Sequence, residues 1–360
     1  MAAKLAIAMS GGVDSSAAAC LLLEQGYDLV GITMNLLSQR EGVWKDGEDA
    51  RAVARHLGFP HCILDLSSCF RARVIDPFVS AYEAGLTPNP CVICNRTIKF
   101  GALLDKAREL GCEAIATGHY ARVEYDSSSG RYLLKKALHP EKDQSYVLST
   151  LTQEQLSHIV LPLGTLSKEE IRSIALSRGL VNADKGDSQD ICFIPDGDYG
   201  AFIRRHTGKE DLPGPFLGPD GAVLGQHQGI IHYTVGQRRG LGVSSNQGRL
   251  YVREIRPEDN TVVLSDNDSL FSSTFTAGDL NLIPRDRLDG PVRLRARIRY
   301  KMAEQPCTVE QTGPRSIRVT FDQPQRAITP GQTVVLYDGD TVVGGATILK
   351  GDTAHESEKI

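Results

Sequence analysis

A short apolar run, KLAIAM at residues 4–9, leads into Ser10-Gly-Gly-Val-Asp-Ser-Ser16, and a helical pattern spans Val13 to Gln25. A buried strand that turns through two glycines into a helix is the opening of a βα unit, and repeated βα units build a parallel sheet. The pattern does repeat. DLVGITM (28–34) reads as a second strand, Gly47 to Leu57 as a helix and HCILDL (61–66) as a third strand. A helix over Arg96 to Leu110 and the strand CEAIAT (112–117) follow. Helices are also expected at 152–160 and 167–178, the second opened by the capping box Ser167-Lys-Glu-Glu170.

The pattern changes near residue 205. TGKEDLPGPFLGPDGAVLG is dense in Gly and Pro and reads as a boundary followed by a hairpin. Beyond 222 only short alternating runs occur, such as RLYVREI, SIRVTF and QTVVLYD, the marks of small antiparallel β domains of barrel type. With 360 residues the chain is too long for one ordinary core. The N-terminal apolar run is cut by Gly11, Gly12 and Asp14, too short for a signal peptide or a membrane span, so a cytoplasmic protein is expected. Eight cysteines at this length are not a disulfide scaffold, and Cys20, Cys62, Cys69, Cys112 and Cys307 read as small core or surface residues. The net charge of −4 gives no global pull toward nucleic acid, so any such role rests on local patches.

Three clusters carry chemistry. The first is the glycine loop. Gly11 and Gly12 let the backbone turn sharply and approach an anion closely, the helix start offers free N–H groups, and Ser10, Ser15 and Ser16 add hydroxyls. No Gly-Lys-Ser/Thr follows and there is no G-x-G-x-x-G, so this phosphate cradle is neither of the two commonest kinds. TGHYAR at 117–122 places Gly118 at the carboxyl end of another parallel strand, where ligands of open sheets lie. Met34 ends the second strand in the same layer, where its thioether can pack on a purine.

The second cluster is TPNPCVICNRTIKF (87–100). Pro88-Asn-Pro90 argues against helix before the cysteines. Cys91 and Cys94 at this spacing can share a metal, form a redox pair or divide a thiol reaction. The third is Val292-Arg-Leu-Arg-Ala-Arg-Ile-Arg299, which on a strand puts Arg293, Arg295, Arg297 and Arg299 on one face. Four aligned arginines call for an anion, and phosphates with a base stacked on Tyr300 would supply it.

In order along the chain, SGGVDSS, TPNPxxxCNRTIKF, ATGHYAR, KDQSY (142–146), GDSQDICFIPD (186–196), GQHQGIIHYTVGQRRGLG (225–242), RIRYK (297–301) and TPGQTVVLY (329–337) resemble the tRNA-specific 2-thiouridylases, whose loop is that of the PP-loop ATP pyrophosphatases. The resemblance implies an α/β PP-loop domain (1–205), a small central β-rich domain (206–272) and a C-terminal β-barrel (273–360). It implies ATP and Mg²⁺, adenylation of O2 of the wobble uridine of tRNA, and replacement of that oxygen by sulfur from a cysteine desulfurase, a relay protein or sulfide. Carried over by position, Cys94 is the nucleophile and Cys192 the persulfide carrier. Ala8, Met9, Ser10, Gly11, Gly12, Val13, Asp14, Ser15, Met34 and Gly118 hold ATP, with Asp14 toward Mg²⁺ or the activated intermediate. Lys142, Asp143, Gln144, Arg299 and Tyr300 touch tRNA, extended by Arg295 and Arg297 from the strand. The familiar family motif has Asp at the position of Cys91. Two readings stay open: Cys91 as an accessory thiol to persulfide chemistry, or Cys91, Cys94 and Cys192 as ligands of a [4Fe–4S] cluster. The rivals are another adenylating PP-loop enzyme, such as a tRNA lysidine synthetase or an amide-forming ligase, and a non-catalytic RNA-binding protein.

Overall fold

The computed structural model describes residues 3–37, 41–183, 185, 191–243 and 248–351, with 41–46 described by backbone alone. Gly186 to Asp190 of the GDSQDICFIPD motif lie outside the described residues. Seven strands come first: β1 (Lys4–Ala8), β2 (Asp28–Asn35), β3 (His61–Asp65), β4 (Ala114–Ala116), β5 (Ala121–Asp126), β6 (Arg131–Lys136) and β7 (Ile159–Val160). Five form a parallel sheet in the order β3-β2-β1-β4-β7. The chain moves outward in opposite directions from β1 and β4, so a crevice opens between their carboxyl ends, where open α/β sheets bind ligands.

Helix Val13–Glu24 is rich in alanine, and Ala17, Ala18, Ala19 and Leu22 are wholly buried between the sheet and helix Lys168–Ser177. Small side chains let the helix settle close to the strands it follows. The expected helix at 152–160 is shorter, Gln153–Leu156, because Ile159 and Val160 leave it to pair with β4 as the sheet's edge strand. Two residues carry too little periodicity to announce a strand.

The helix expected from Arg96 starts earlier, at Pro90. Proline is tolerated at the first helical position because its missing N–H would be unpaired there anyway, and the Asn89 side chain caps the turn by accepting from Cys91 N at 3.1 Å. Asn95–Ala102 then continues as π-helix before Leu103–Glu109 returns to α. The Gln155 amide donates to the carbonyls of Arg96 (2.7 Å) and Phe100 (2.8 Å), which occupies acceptors within that wider turn.

The second unit is a four-stranded sheet, ordered β10-β11-β8-β9, of β8 (Gly214–Leu217), β9 (Val223–His227), β10 (Tyr251–Arg256) and β11 (Thr261–Ser265). It follows helix Tyr199–Thr207, which no sequence pattern announced. The third comprises β12 (Phe271–Leu282), β13 (Val292–Arg297), β14 (Gln305–Gly313), β15 (Ser316–Arg326), β16 (Thr333–Asp338) and β17 (Thr341–Ile348). They run β12-β15-β14-β13-β16-β17, and β17 pairs back with β12 to close a barrel. Closure leaves no free edge among these six strands.

The hairpin β5–β6 belongs to the N-terminal stretch yet joins the barrel sheet through Lys135 opposite Thr341. Arg122 pairs with Asp340 at 2.7 Å, and Arg131 reaches Ile283 O and Asp286, both at 2.9 Å. Leu134, Tyr146, Val335, Tyr337 and Val342 share one apolar core across this junction. The barrel is therefore packed onto the parallel-sheet unit through a continuous core.

Candidate active site

The glycine loop lies at the carboxyl end of β1, in the crevice beside β4. Gly11 adopts a positive φ of 71°. Gly12 precedes helix Val13–Glu24 with no side chain capping it, which leaves the first helical N–H groups for an anion. Ser15 and Ser16 hydroxyls both donate to Gly12 O at 3.1 Å and brace the turn. Across the crevice Gly118 packs directly on the loop: a Cβ there would stand 2.8 Å from Ser15 N and 2.9 Å from Asp14 C. Met34 is half-buried at the end of β2, the neighbour of β1. Asp14 is engaged through Oδ1, which accepts from Lys168 Nζ and from Tyr120 OH, each at 2.7 Å. Lys185 Nζ meets Gly11 O at 3.3 Å and Asp49 at 3.1 Å. Sequence reasoning named neither Lys168, Tyr120 nor Lys185; Lys168 was visible only as part of a capping box.

Cys91 and Cys94 stand three residues apart on one helical turn, so they share a face. Cys94 is buried, and burial pushes its thiol up to about 12, with Cys192 and Cys91 adding to the rise and Lys99 opposing it. Cys91 is exposed to solvent but crowded by surrounding protein, which also pushes its thiol up, again opposed by Lys99. Cys94 is thus within electrostatic reach both of its neighbour Cys91 and of Cys192, which comes from a distant motif. Cys192 is exposed, and its chain is anchored by the next residue: Phe193 packs against Phe70, Phe78 and Phe202 with ring centroids 5.2–5.7 Å apart. Among the described residues, no three His, Cys, Asp or Glu side chains are grouped to hold a metal ion, these cysteines included.

Lys99 is a cation that acts on both Cys91 and Cys94. Its Nζ lies 3.4 Å from His119 Nε2, and His119 Nδ1 lies 2.7 Å from Thr117 Oγ1. Burial, then Lys99, hold His119 well below the usual histidine range, so it is neutral and accepts from the ammonium. The π-helical turn between Cys94 and Lys99 matters here. In an α-helix a residue five positions on points well away, whereas a wider turn brings it back toward the same face.

The segment holding the cysteines is tied to both other units at Thr87. Its N–H donates to Pro330 O at 2.9 Å, its carbonyl accepts from Gln332 Nε2 at 2.8 Å, and its hydroxyl meets Thr234 Oγ1 at 3.2 Å. Gly331, with φ of 89°, comes so close that a Cβ would lie 2.9 Å from Thr87 N. The barrel also reaches the cleft: burial pushes the Tyr300 phenol up, and Asp143 and Cys91 act on it in the same direction.

The arginine face has the expected alternation, with Leu294, Ala296 and Ile298 buried opposite it. The anions across it, however, are the protein's own. Arg293 pairs with both oxygens of Asp322 (2.7 and 2.6 Å), and Arg295 with Glu304. Arg297 is half-buried between Glu304 (3.0 Å) and Asp143 (3.4 Å). Arg299 donates to Ala327 O at 2.5 Å and Thr329 Oγ1 at 3.1 Å. The mutual repulsion that called for an external phosphate row is already relieved internally. Asp143, expected at a tRNA surface, is buried and accepts from Ala137 N, Ser145 N and Ser145 Oγ. Gln144 Oε1 accepts from Tyr120 N at 3.0 Å, and Lys142 is half-buried. Arg238, Arg239 and Lys301 are exposed.

A family described as the tRNA methyl transferase HUP domain matches residues 3–196, the tRNA methyl transferase PRC-barrel domain matches 200–266, and the aminomethyltransferase beta-barrel domain matches 272–348. The tRNA-specific 2-thiouridylase MnmA of Clostridioides difficile (strain 630) is 47% identical over 355 residues, 96% of this chain and 98% of the relative. That of Acetivibrio thermocellus is 48% identical over 355 residues, 96% and 99% of the two chains. The chain belongs to the tRNA-specific 2-thiouridylase family. Full-length coverage at this identity extends the family assignment across all three units. Among the described residues, no helix is long and apolar enough to cross a membrane.

Proposed function

We propose that this protein is an ATP-dependent tRNA-uridine 2-sulfurtransferase acting on the wobble uridine from a cytoplasmic location. The observation that carries the reading is the convergence of Cys91, Cys94 and Cys192 at one cleft in a chain that also holds an uncapped glycine-loop helix start. A uracil C2 carbonyl has a poor leaving group. Adenylation makes that oxygen leave as part of AMP, and a sulfur nucleophile can then replace it.

In this reading residues 1–205 run the chemistry, while 206–272 and 273–360 present the tRNA. The loop Ala8–Ser15 with Met34 and Gly118 holds ATP, and Asp14 is the loop carboxylate suited to Mg²⁺, which would neutralise the triphosphate. Uridine O2 attacks the α-phosphorus, pyrophosphate leaves with the electron pair, and the N3 proton passes to water. The terminal sulfur of a Cys192 persulfide, loaded as sulfane sulfur from an external desulfurase or relay protein, or formed when hydrosulfide opens a Cys94–Cys192 disulfide at Cys192 and Cys94 leaves as thiolate, attacks C2 and AMP departs. The Cys94 thiolate then attacks Cys192 Sγ. The transferred sulfur keeps the electrons of the broken S–S bond, a Cys94–Cys192 disulfide remains, and an external dithiol reduces it. Lys99 supplies the positive charge that favours the Cys94 thiolate, and Cys91 is an accessory thiol. Contact with tRNA falls to Lys142, Tyr300 and the exposed Arg238, Arg239 and Lys301, while Asp143, Gln144, Arg297 and Arg299 shape that surface from beneath.

Mass spectrometry of tRNA nucleosides after incubation with ATP, Mg²⁺ and a sulfide source tests the reading; 2-thiouridine is expected, and its absence together with absent tRNA-dependent pyrophosphate release overturns it. Iron and acid-labile sulfide analysis of anaerobically prepared wild type and Cys91→Ser separates the sulfur chemistries. Thiolation by iron-free protein supports the persulfide route. A cluster lost together with activity in Cys91→Ser replaces it.

A further inference from the structure

The turn that carries Lys99 toward the cysteines departs from α-helix, and something must hold it. Pro90–Cys94 before it and Leu103–Glu109 after it are both α. Only Asn95–Ala102 between them widens, with Leu103 N donating back to Ile98 O, five residues earlier. Such turns are rare insertions in α-helices and gather at functional sites. Widening disturbs the i→i−4 ladder, and carbonyls inside a protein need donors from elsewhere. Side chains supply them here. Thr97 Oγ1 donates to Ile93 O at 2.8 Å and Arg73 to Thr97 O at 3.2 Å. Gln155 Nε2 spans the turn, donating to both Arg96 O (2.7 Å) and Phe100 O (2.8 Å).

The orientation of Gln155 is imposed from its other side. It is the third residue of helix Gln153–Leu156, where its Oε1 accepts from Thr152 N at 3.1 Å and Thr152 Oγ1 accepts from its N–H at 3.2 Å, a capping box. With the oxygen so engaged, the amide presents its NH₂ to the π-helical turn. Gln153 ties the same short helix to the hairpin and the barrel: it accepts from Tyr132 N and donates to Tyr132 O and Ile283 O, at 2.8–2.9 Å. Gly101 leaves the Arg96 carbonyl the space it uses, since a Cβ there would stand 3.1 Å from that oxygen.

We propose that Gln155 is a positioning residue of the sulfur-transfer step, whose amide holds the π-helical turn and so keeps Lys99 on the cysteine side of its helix. The inference rests on the sulfurtransferase reading and adds a residue to its sulfur half. Gln155 makes its hydrogen bonds to backbone and acts through Lys99, whose ammonium favours the Cys94 thiolate that attacks Cys192 Sγ. Without the amide the turn tightens toward α. Lys99, five residues past Cys94, then rotates away from the cysteines and from His119.

The test is a double-mutant cycle between Gln155→Met and Lys99→Gln. Gln155→Met keeps an unbranched side chain of similar length and removes the donors. The tRNA adenylate is accumulated with ATP and Mg²⁺, and thiolation is started by adding a sulfide source. Gln155→Met is expected to slow the sulfur step about tenfold with adenylate formation unchanged, and Lys99→Gln to slow it at least as much. The double variant is expected to match Lys99→Gln alone, because Gln155 has no other route to the chemistry. Gly101→Ala, which crowds the Arg96 carbonyl without touching helix Gln153–Leu156, is expected to show the same dependence on Lys99. Losses that multiply in the double variant, a parallel fall in adenylate formation, or an unchanged sulfur step overturn the proposal. Wild-type protein that makes no 2-thiouridine removes the sulfurtransferase reading instead. The cycle is then read as the rate of Cys94 alkylation by iodoacetamide at one pH, which Gln155→Met should slow severalfold while adding nothing to Lys99→Gln; additive slowing there overturns the positioning role.

Discussion

The nucleotide loop and the cysteine cleft are built in opposite ways. The loop is local: the cradle, its hydroxyl braces and its helix start all lie within Ser10–Ser16, with Gly118 as the principal outside wall. The cleft is assembled. Cys91 and Cys94 arrive on a helix capped by Asn89 and tied at Thr87 to the central unit and the barrel, and Cys192 arrives on a segment held by an aromatic cluster. A local device depends little on the rest of the molecule. An assembled one exists only when three units are correctly docked, which gives a physical basis for coupling sulfur chemistry to a tRNA that spans those units.

The largest expected effect breaks the two halves apart. Asp14→Ala should abolish tRNA-dependent pyrophosphate release and thiolation together. Cys192→Ala should abolish thiolation but leave adenylate formation, read as labelled AMP on tRNA. Loss of the adenylate in both variants would show that the loop depends on the cleft after all.

Next in size is the arginine face. Replacing Arg297 with Ala leaves the Asp143 carboxylate buried without its guanidinium partner and should destabilise the protein by about 3–5 kcal/mol, read by denaturant unfolding. Exposed Arg238 and Arg239 should behave differently. Their replacement with Ala should leave stability unchanged and reduce the salt slope of log tRNA affinity by about 0.7–0.9 for each phosphate contact. A slope lowered instead by Arg295→Ala alone would return phosphate binding to the strand face.

The comparison also explains what the sequence revealed. The glycine loop was legible because its chemistry and its geometry occupy the same few residues. The parallel sheet was legible through β1 to β4, where strands alternate with helices. The strand β7 was not, since two residues carry no period, and the hairpin β5–β6 gave no sign that it belongs to the barrel sheet. The arginine alternation was read correctly, but its partners Asp322, Glu304 and Asp143 come from β15, the turn before β14 and a buried loop, so their neutralising role was visible only after folding. Lys99 was equally hidden, because its place depends on a π-turn that a helical wheel with 3.6 residues per turn puts elsewhere.

A smaller change probes the docking itself. Gly331→Ala asks a left-handed position to carry a Cβ and pushes that Cβ to within 2.9 Å of Thr87 N. The strain should amount to about 1–3 kcal/mol and fall on the junction rather than the loop. Thiolation should slow about tenfold, with affinity for a non-cleavable ATP analogue unchanged. An equal fall in nucleotide binding would mean that the loop is not independent of the barrel.

The smallest effect concerns the thiol at the centre of the cleft. With Cys94 pushed up to about 12 by burial, almost all of it is protonated at neutral pH in the absence of tRNA. Its alkylation by iodoacetamide should therefore rise about tenfold per pH unit from pH 7 to 10 without levelling off, whereas an ordinary cysteine levels off near its pKa of about 8.5. Lys99→Gln removes the charge that opposes this rise, so the thiol moves higher still and alkylation slows severalfold at every pH, with the slope unchanged. The conservative Lys99→Arg should recover part of the rate, since it keeps the charge but not the compact ammonium that meets His119. Quantified by peptide mass spectrometry at Cys94 in a Cys91→Ser background, the rates report one thiol at a time. A plateau below pH 9 would mean that Cys94 is already activated without its substrate, and that the cleft, like the loop, is finished before the tRNA arrives.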